Sequence, residues 1–243
     1  MRVGPAVWHD LECGGYTADV ELWRELAAAA GGPVLDIGCG TGRVALDLAD
    51  RGYDVTALDS DPELVGELAR RAREDGLRVR TLTADARSFA IGRGFAVAIA
   101  PMQVAQLLGG TAGRAAMLSH VRDHLTDGGL FAVALSNPFE AVAAEDALPP
   151  APDVREDGGW VISSRPFAVR PGAAGVEVDF LRQLVSPAGE LTEELYTVLL
   201  DAVTPDELEA EGRAVGLVPA GRRQVPETYE YVGSTVVLLE RPS

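Results

Sequence analysis

The stretch Val34-Leu35-Asp36-Ile37-Gly38-Cys39-Gly40-Thr41-Gly42-Arg43 decides the fold of this 243-residue chain. Apolar residues surround Asp36, glycines then occupy alternate positions, and residues 43–49 have helical spacing. The pattern predicts a strand, a tight turn and a helix. Glycine permits positive φ angles and close approach of a ligand to the backbone, and the first N–H groups of the helix face the same point. We therefore predict a binding site for a nucleotide-like molecule at this turn.

The rest of the first half of the chain continues this alternation of strand and helix. Further strands are predicted at 54–58, 79–83, 95–100 and 130–135. A helix is predicted at 17–30, before the first strand, whereas residues 1–16 predict either an irregular lead or a loose helix. Because strands and helices alternate, we predict a parallel sheet with helices on both sides.

After Ser136 the alternation ends. Residues 138–159 are rich in proline, acid and alanine and predict a long surface connection. An antiparallel meander is predicted next, from three segments with a period of two: 160–169, 176–185 and 195–200. Thr204 and Glu207 are spaced for a capping box at the start of a helix. The last two strands are predicted at 218–225 and 235–240.

Composition and charge exclude several classes of function. All 21 basic residues are arginine, so Schiff-base chemistry and the phosphate-binding lysine of P-loop enzymes are excluded. The formal net charge of −16 repels polyanions, which argues against a nucleic-acid partner and favours a small or cationic substrate. No run approaches about 18 apolar residues and the start of the chain lacks a secretory signal, so we expect no membrane partner and a cytoplasmic location.

The cysteines and histidines predict neither a disulfide nor a metal site. Cys13 and Cys39 lack metal-ligand spacing, and a disulfide at Cys39 would obstruct the glycine turn. His120 and His124 stand four residues apart on a predicted helix, but the apolar face of that helix passes through other positions. We therefore expect a solvated pair of histidines.

The spacing of the glycines distinguishes between nucleotide-like ligands. A dinucleotide site has the pattern G-x-G-x-x-G, which admits a pyrophosphate. Here the glycines stand at 38, 40 and 42, and Asp36 precedes them. Because its negative charge repels phosphate and attracts an ammonium group, the ligand is expected to carry an amine near the turn and no pyrophosphate.

Residues 35–42 resemble the first motif of class I S-adenosylmethionine-dependent methyltransferases, and residues 126–130 resemble the turn that precedes the fifth strand of that family. The resemblance implies an α/β fold with a Rossmann-like, doubly wound sheet of seven strands whose last strand is antiparallel. The small antiparallel meander is then an insertion after strand five. We divide the chain into a core with an N-terminal lid segment, an inserted substrate or lid subdomain, and a C-terminal part that completes the core sheet: 1–137, 138–203 and 204–243.

The resemblance also implies S-adenosylmethionine as the cofactor. Asp59 lies 21 residues after Gly38 and matches the acid that binds the ribose hydroxyls in this family. Asp85 matches the acid that accepts a hydrogen bond from the adenine amino group. The predicted cofactor-binding residues are Tyr16, Asp36, Gly38, Cys39, Gly40, Arg43, Asp59, Ser60, Asp85, Ala86 and Met102.

The acceptor site is predicted from two regions. Residues 101–107 follow the fourth strand, beside the transferable methyl group in the resembling enzymes, and the meander is expected to build the acceptor pocket. The candidates for lining this pocket are Gln103, Gln106, Arg165, Arg182 and Tyr196, followed by Tyr229 and Tyr231. A hydroxyl or ammonium acceptor needs a base, for which His9 and Tyr16 are candidates. No pattern indicates the oligomeric state.

We therefore predict a methyltransferase that acts on a nitrogen or oxygen atom of a small molecule. Two alternatives stay open: a relative of the fold that binds the cofactor without transferring methyl, and a protein or RNA methyltransferase, which the acidic charge disfavours. A dehydrogenase is the formal alternative for the fold, and the glycine spacing argues against it.

Overall fold

A computed structural model describes residues 3–136, 151–172, 174–228 and 231–243. They form one sheet with helices on both faces and a second sheet that is wholly antiparallel. The helices are α1 Pro5–Cys13, α2 Val20–Ala30, α3 Arg43–Asp50, α4 Pro62–Glu74, α5 Thr111–His124 and α6 Pro205–Ala214. The strands are β1 Val34–Ile37, β2 Val55–Asp59, β3 Val79–Thr83, β4 Phe95–Ala100, β5 Leu125–Ser136, β6 Asp153–Asp157, β7 Trp160–Pro171, β8 Gly175–Val185, β9 Leu191–Asp201, β10 Val218–Val225 and β11 Ser234–Glu240.

The larger sheet has seven strands in the order β10-β11-β5-β4-β1-β2-β3. Strands β1 to β5 pair in parallel, whereas β11 is antiparallel to both of its neighbours, β5 and β10. The predicted doubly wound sheet with an antiparallel last strand is confirmed. All four residues of β1 are buried, because β1 lies in the middle of the sheet and helices cover both faces.

The helices begin at the signals that the sequence contains. The side chain of Asp61 accepts hydrogen bonds from two N–H groups at the start of α4, and Pro62 follows it. At the start of α6, Thr204 and Glu207 form the predicted capping box. For residues 1–16 the sequence predicts either an irregular lead or a loose helix. The structure has a helix there, α1, over residues 5–13. No helix in the described ranges has the length and apolar character needed to cross a bilayer.

The second sheet is antiparallel, in the order β6-β7-β8-β9, and contains the predicted meander. The prediction of a surface connection across 138–159 is wrong at its C-terminal end, where β6 pairs with β7. Gly158 and Gly159 both have positive φ and form the two-residue hairpin turn between these strands. Residues 137–150 lie outside the described ranges. The sheet thus falls between the boundaries proposed at 137/138 and 203/204, which themselves stay a prediction.

Two local predictions need correction. Strand β5 begins at Leu125, directly after α5 and ahead of the predicted start at residue 130. His124 is not solvated: it packs against Phe89, and its Nε2 accepts a hydrogen bond from the N–H of Ile91. The helix therefore uses this histidine to hold the loop before β4.

Candidate functional site

A cavity of about 2280 Å³ lies between the carboxyl ends of the core strands and the inner face of the second sheet. Strand β1 separates β2 and β3 on one side from β4 and β5 on the other, so the order of the strands reverses at its end. Open α/β sheets bind ligands at such a switch point. Except for Tyr16 and Gly40, every residue predicted to bind the cofactor lines this cavity.

The glycine turn after β1 has a shape that only glycine can adopt. Gly38 and Gly40 have φ angles of 67° and 54°. A Cβ atom would lie 2.5 Å from the side chain of Val104 at Gly38, and 2.3 Å from the ring of His9 at Gly40. Glycine is therefore required here because the side chains of Val104 and His9 pack directly on the backbone of the turn, while Gly38 also lines the cavity.

Asp36 is a buried carboxylate without a full set of partners. It is 1% exposed and lines the cavity, and its Oδ1 has no hydrogen-bond partner among the described residues. Burial raises its pKa to about 7, while the nearby Arg43 guanidinium lowers the pKa and Asp59 raises it. A buried polar atom with no partner is costly, so this oxygen indicates a binding position for a donor or a cation.

The acids that follow β2 and β3 are held in different ways. Asp59 accepts from the N–H of Gly40 through Oδ2, at 2.9 Å, and from the N–H of Asp61 through Oδ1. It thereby connects the glycine turn to the end of β2. Asp85 forms a bidentate ion pair with Arg87, whose guanidinium keeps the pKa of the carboxyl below its ordinary value. Both groups are fixed at the cavity wall.

The guanidinium of Arg43, the first residue of α3, forms its hydrogen bonds on the side away from the glycine turn. It donates to both oxygens of Asp19, at 2.5 and 2.8 Å, and to the carbonyl of Tyr16. Tyr16 is 5% exposed and stacks on Tyr231. The structure thus places Tyr16 behind Arg43 and outside the cavity lining, which does not support its predicted roles as cofactor contact or base.

Helix α1 covers the glycine turn. The hydroxyl of Thr41 donates to Asp10 at 2.6 Å and lies 3.3 Å from Nδ1 of His9, and Arg71 forms an ion pair with Asp10. Since the hydroxyl proton of Thr41 is directed at a carboxylate, Thr41 can only accept from His9, which assigns the proton to Nδ1 and leaves Nε2 as an acceptor. Burial lowers the pKa of His9, so its imidazole is neutral at pH 7.

The segment after β4 differs from its prediction at one residue. Met102 and Gln103 line the cavity, and Met102 has a φ of 56°, in the left-handed region that a side chain rarely adopts. Gln106 does not reach the cavity. It is 3% exposed, and its amide bonds the N–H and carbonyl of Ser136, so it joins the 3-10 turn Val104–Leu107 to the end of β5. Its predicted contact with substrate is wrong.

The inner face of the second sheet forms the opposite wall. Arg182 and Tyr196 line the cavity, whereas Arg165 is absent from its lining, and their contact with an acceptor stays a prediction. Arg182 forms a bidentate ion pair with Glu12 of α1, with both distances at 2.7 Å. Ser164 donates to the same carboxylate, and the guanidinium lies 3.8 Å from the Tyr196 ring centroid. These contacts attach α1 to the sheet.

Several lining residues of α1 were not among the predicted site residues, and Trp8 and Glu12 are the two with large or charged side chains. Both lie within 16 residues of the start, where no period was evident in the sequence. Their spacing of four on a helix was the available signal, because it places both side chains on one face. Of the further candidates, Tyr231 lines the cavity and Tyr229 lies outside the described residues. No group of three or more metal-ligating side chains occurs in the described part of the chain.

The core side of the cavity lies within a region that matches known proteins. A sequence profile described as a methyltransferase domain matches residues 34–129, from β1 into the start of β5. An uncharacterized methyltransferase of Bacillus subtilis, YodH, is 32% identical over 72 residues, which is 30% of this chain and 31% of that protein. An uncharacterized methyltransferase of Staphylococcus carnosus is 46% identical over 44 residues, 18% of this chain and 21% of that one. The match thus spans less than a third of these relatives.

Solved structures match over the whole chain. The sugar N-methyltransferase KedS8 from Streptoalloteichus superimposes with a TM-score of 0.76 at 19% identity, covering 100% of this chain and 94% of that one. The amino pentose methyltransferase CalS10 from Micromonospora echinaspora gives 0.73 at 19% identity, with 99% of both chains covered. An S-adenosylmethionine-dependent methyltransferase from Clostridium acetobutylicum gives 0.74 at 14% identity, covering 98% and 97%. These likenesses establish the fold, including the second sheet.

Proposed function

We propose that the protein transfers the methyl group of S-adenosylmethionine to a nitrogen atom of a small amine. Residues 34–129 match a methyltransferase domain, and residues 35–42 resemble the first motif of the class I S-adenosylmethionine-dependent enzymes. The observation that carries the proposal is the unpartnered carboxylate oxygen of Asp36 at the glycine turn. The structural relatives described as sugar and amino pentose methyltransferases support a small acceptor, and the name of KedS8 supports nitrogen.

The residues of the cavity fit this cofactor. Asp36 offers a buried negative charge to the ammonium of its amino acid end, and the turn at Gly38 admits the chain between that end and the nucleoside. Asp59 would bind the ribose hydroxyls, and Asp85 would accept from the adenine amino group. When bound, the cofactor supplies a methyl group on a positively charged sulfur. A nucleophile can take this methyl group, and the sulfur then leaves as a neutral thioether.

The protein's own contribution is orientation and exclusion of water. In-line displacement requires the acceptor nitrogen within about 3 to 3.5 Å of the methyl carbon, so catalysis depends mainly on alignment. The turn after β4 and the wall of the second sheet enclose this position. An amine that arrives in its protonated, ammonium form must also lose this proton before its nitrogen can react. His9 has the required properties, because it is neutral and its Nε2 is free of the bond to Thr41.

The experiment is a turnover assay that detects S-adenosylhomocysteine across matched amines and alcohols, preferably amino sugars and the corresponding sugars. We expect turnover with amines and none with their alcohol counterparts. Under the proposed role of His9, the change His9→Gln lowers kcat by about 10²-fold or more, whereas Tyr16→Phe leaves kcat unchanged because Tyr16 is outside the lining. If alcohols are methylated in preference to amines, the acceptor atom is oxygen and the assignment of nitrogen is wrong. If the cofactor binds but no compound is methylated, the result favours the alternative function, a protein that binds the cofactor without transferring its methyl group.

The affinity for the cofactor is expected to depend on pH through Asp36. Its pKa is raised from 3.8 to about 7 by burial, and only the ionised carboxylate attracts an ammonium group. Between pH 6 and pH 7.5 the ionised fraction grows from about a tenth to about three quarters, so affinity should rise about eightfold. Calorimetric titration with the cofactor at both pH values measures this change. In Asp36→Asn the rise should be absent, and an equal rise there would assign the dependence to another group.

A further inference from the structure

The cavity wall formed by the second sheet carries a row of charged and polar side chains. The register of the second sheet places four residues opposite each other in one row across its strands: Asp153, Ser164, Arg182 and Glu194. Side chains directly opposite each other point to the same face of a sheet. Arg182 and Glu194 both line the cavity, so this row is part of its wall.

Every arginine that lines the cavity in the described ranges is neutralised by a carboxylate. Arg43 pairs with Asp19, Arg87 with Asp85, and Arg182 with Glu12. Each pair is bidentate, the geometry that best satisfies a guanidinium. His9 also lines the cavity, and its lowered pKa leaves it uncharged at pH 7. None of these side chains offers an unpaired positive charge to a phosphate or carboxylate of a substrate.

Negative charge on the same wall is not balanced in this way. Within the described part of the chain, Glu194 has no hydrogen bond or ion pair, and it is exposed where it lines the cavity. It stands two residues from Tyr196 on the inner face of β9. Asp36 and Asp59 add negative charge at the cofactor end. An anionic substrate would meet repulsion here without a compensating cation.

An apolar surface continues from this row along the sheet. Towards the ends of β7, β8 and β9 that lie near the core, the inner face carries Val169, Val178, Phe180, Val198 and Leu200, all of which line the cavity. Pockets for organic ligands combine an apolar lining with a few polar groups that fix orientation. Among the described residues of this wall, Glu194 is a charged side chain with neither a hydrogen bond nor an ion pair.

On the premise of the proposed transferase function, we infer that the acceptor enters as an amphipathic cation without phosphate or carboxylate groups, and that Glu194 selects it by its charge. The inference excludes nucleotide-linked forms of an acceptor, since a diphosphate finds no unpaired arginine among the described residues of the wall. Glu194 acts in selection rather than in the chemical step, because it recognises the ammonium form before the proton is lost.

The test compares two probes that differ in charge and share their apolar part, 2-phenylethylamine and 3-phenylpropionate. Both are titrated into the protein saturated with S-adenosylhomocysteine, whose own binding is measured first. We expect the amine to bind at least about tenfold more tightly at low salt, with a smaller difference at 0.5 M salt because screening weakens the attraction. Glu194→Gln should weaken amine binding about fivefold, the range of an exposed ion pair. Glu190→Gln is the matched control, since Glu190 lies in the connection that precedes β9 and outside the cavity lining, and it should change nothing.

The outcomes separate the inference from its premise. Failure of S-adenosylhomocysteine to bind would overturn the proposed function itself. If it binds, the inference is overturned by any of three results: equal or tighter binding of 3-phenylpropionate, no detectable binding of the amine, or the same effect from Glu194→Gln and Glu190→Gln.

Discussion

Replacing Asp59 by alanine is expected to weaken cofactor binding by a hundredfold or more. Asp59 fixes the glycine turn by accepting from the N–H of Gly40, and under the proposed function it also binds the ribose hydroxyls. Hydrogen bonds to a charged group contribute about 1.5 to 3 kcal/mol each. Loss of two such bonds removes about 3 kcal/mol or more, which corresponds to a factor of at least about 10² in the dissociation constant. Calorimetric titration with S-adenosylmethionine measures the change.

The control for Asp59→Ala is Asp75→Ala, which removes an acid of equal charge at the end of α4, outside the cavity lining. It should bind the cofactor as the wild type does. Thermal unfolding of both variants establishes that they are folded. An affinity of Asp59→Ala within about threefold of the wild type would remove Asp59 from the cofactor site and would contradict the assignment of this cavity.

The second large effect is expected at the ion pair between Arg182 and Glu12. Their side chains are 13% and 12% exposed, so the change Arg182→Met leaves a largely buried carboxylate with Ser164 as its remaining partner. Breaking a buried ion pair from one side costs about 3 to 5 kcal/mol. We expect the free energy of unfolding, measured in urea, to fall by about 3 kcal/mol, and helix α1 to become more accessible to proteolysis.

A double-mutant cycle isolates this pair. Glu12→Gln combined with Arg182→Met removes both charges and should be less destabilised than the sum of the two single changes, because no unpaired charge is left behind. Arg223→Met provides a surface control, since Arg223 and its partner Glu25 are both about half exposed, at 47% and 51%. Strict additivity in the cycle would show that the contact contributes no coupling.

The sequence allowed the core side of the cavity lining to be predicted because its determinants are local. The glycine turn, the acid before it and the acid at the end of β2 are each defined by a few neighbouring residues. Their convergence follows from the parallel sheet, whose strands all end at the same edge. Similarly, Thr204 and Glu207 specify the start of α6 without any distant contact.

The opposite side of the cavity could not be predicted in the same way, because it depends on contacts between residues that are far apart in the sequence. Glu12 and Arg182 are 170 residues apart, and neither residue alone indicates the other. Gln106 has the polarity of a substrate contact, but its amide satisfies backbone groups of Ser136 that would otherwise be buried without partners. Strand β6 is short and polar, and only the two glycines of its hairpin turn mark it in the sequence.

Helix α1 has one consequence for any effort to change the acceptor by protein engineering. Through Asp10 it is bonded to the glycine turn, and through Glu12 to the second sheet, within three residues of each other. Under the proposed function, substitutions at Trp8 or Glu12 that reshape the acceptor side of the cavity would therefore also shift the helix that covers the glycine turn. We expect variants with new acceptor preferences to lose affinity for the methyl donor, so library designs that leave α1 intact and vary β9 should separate these two properties.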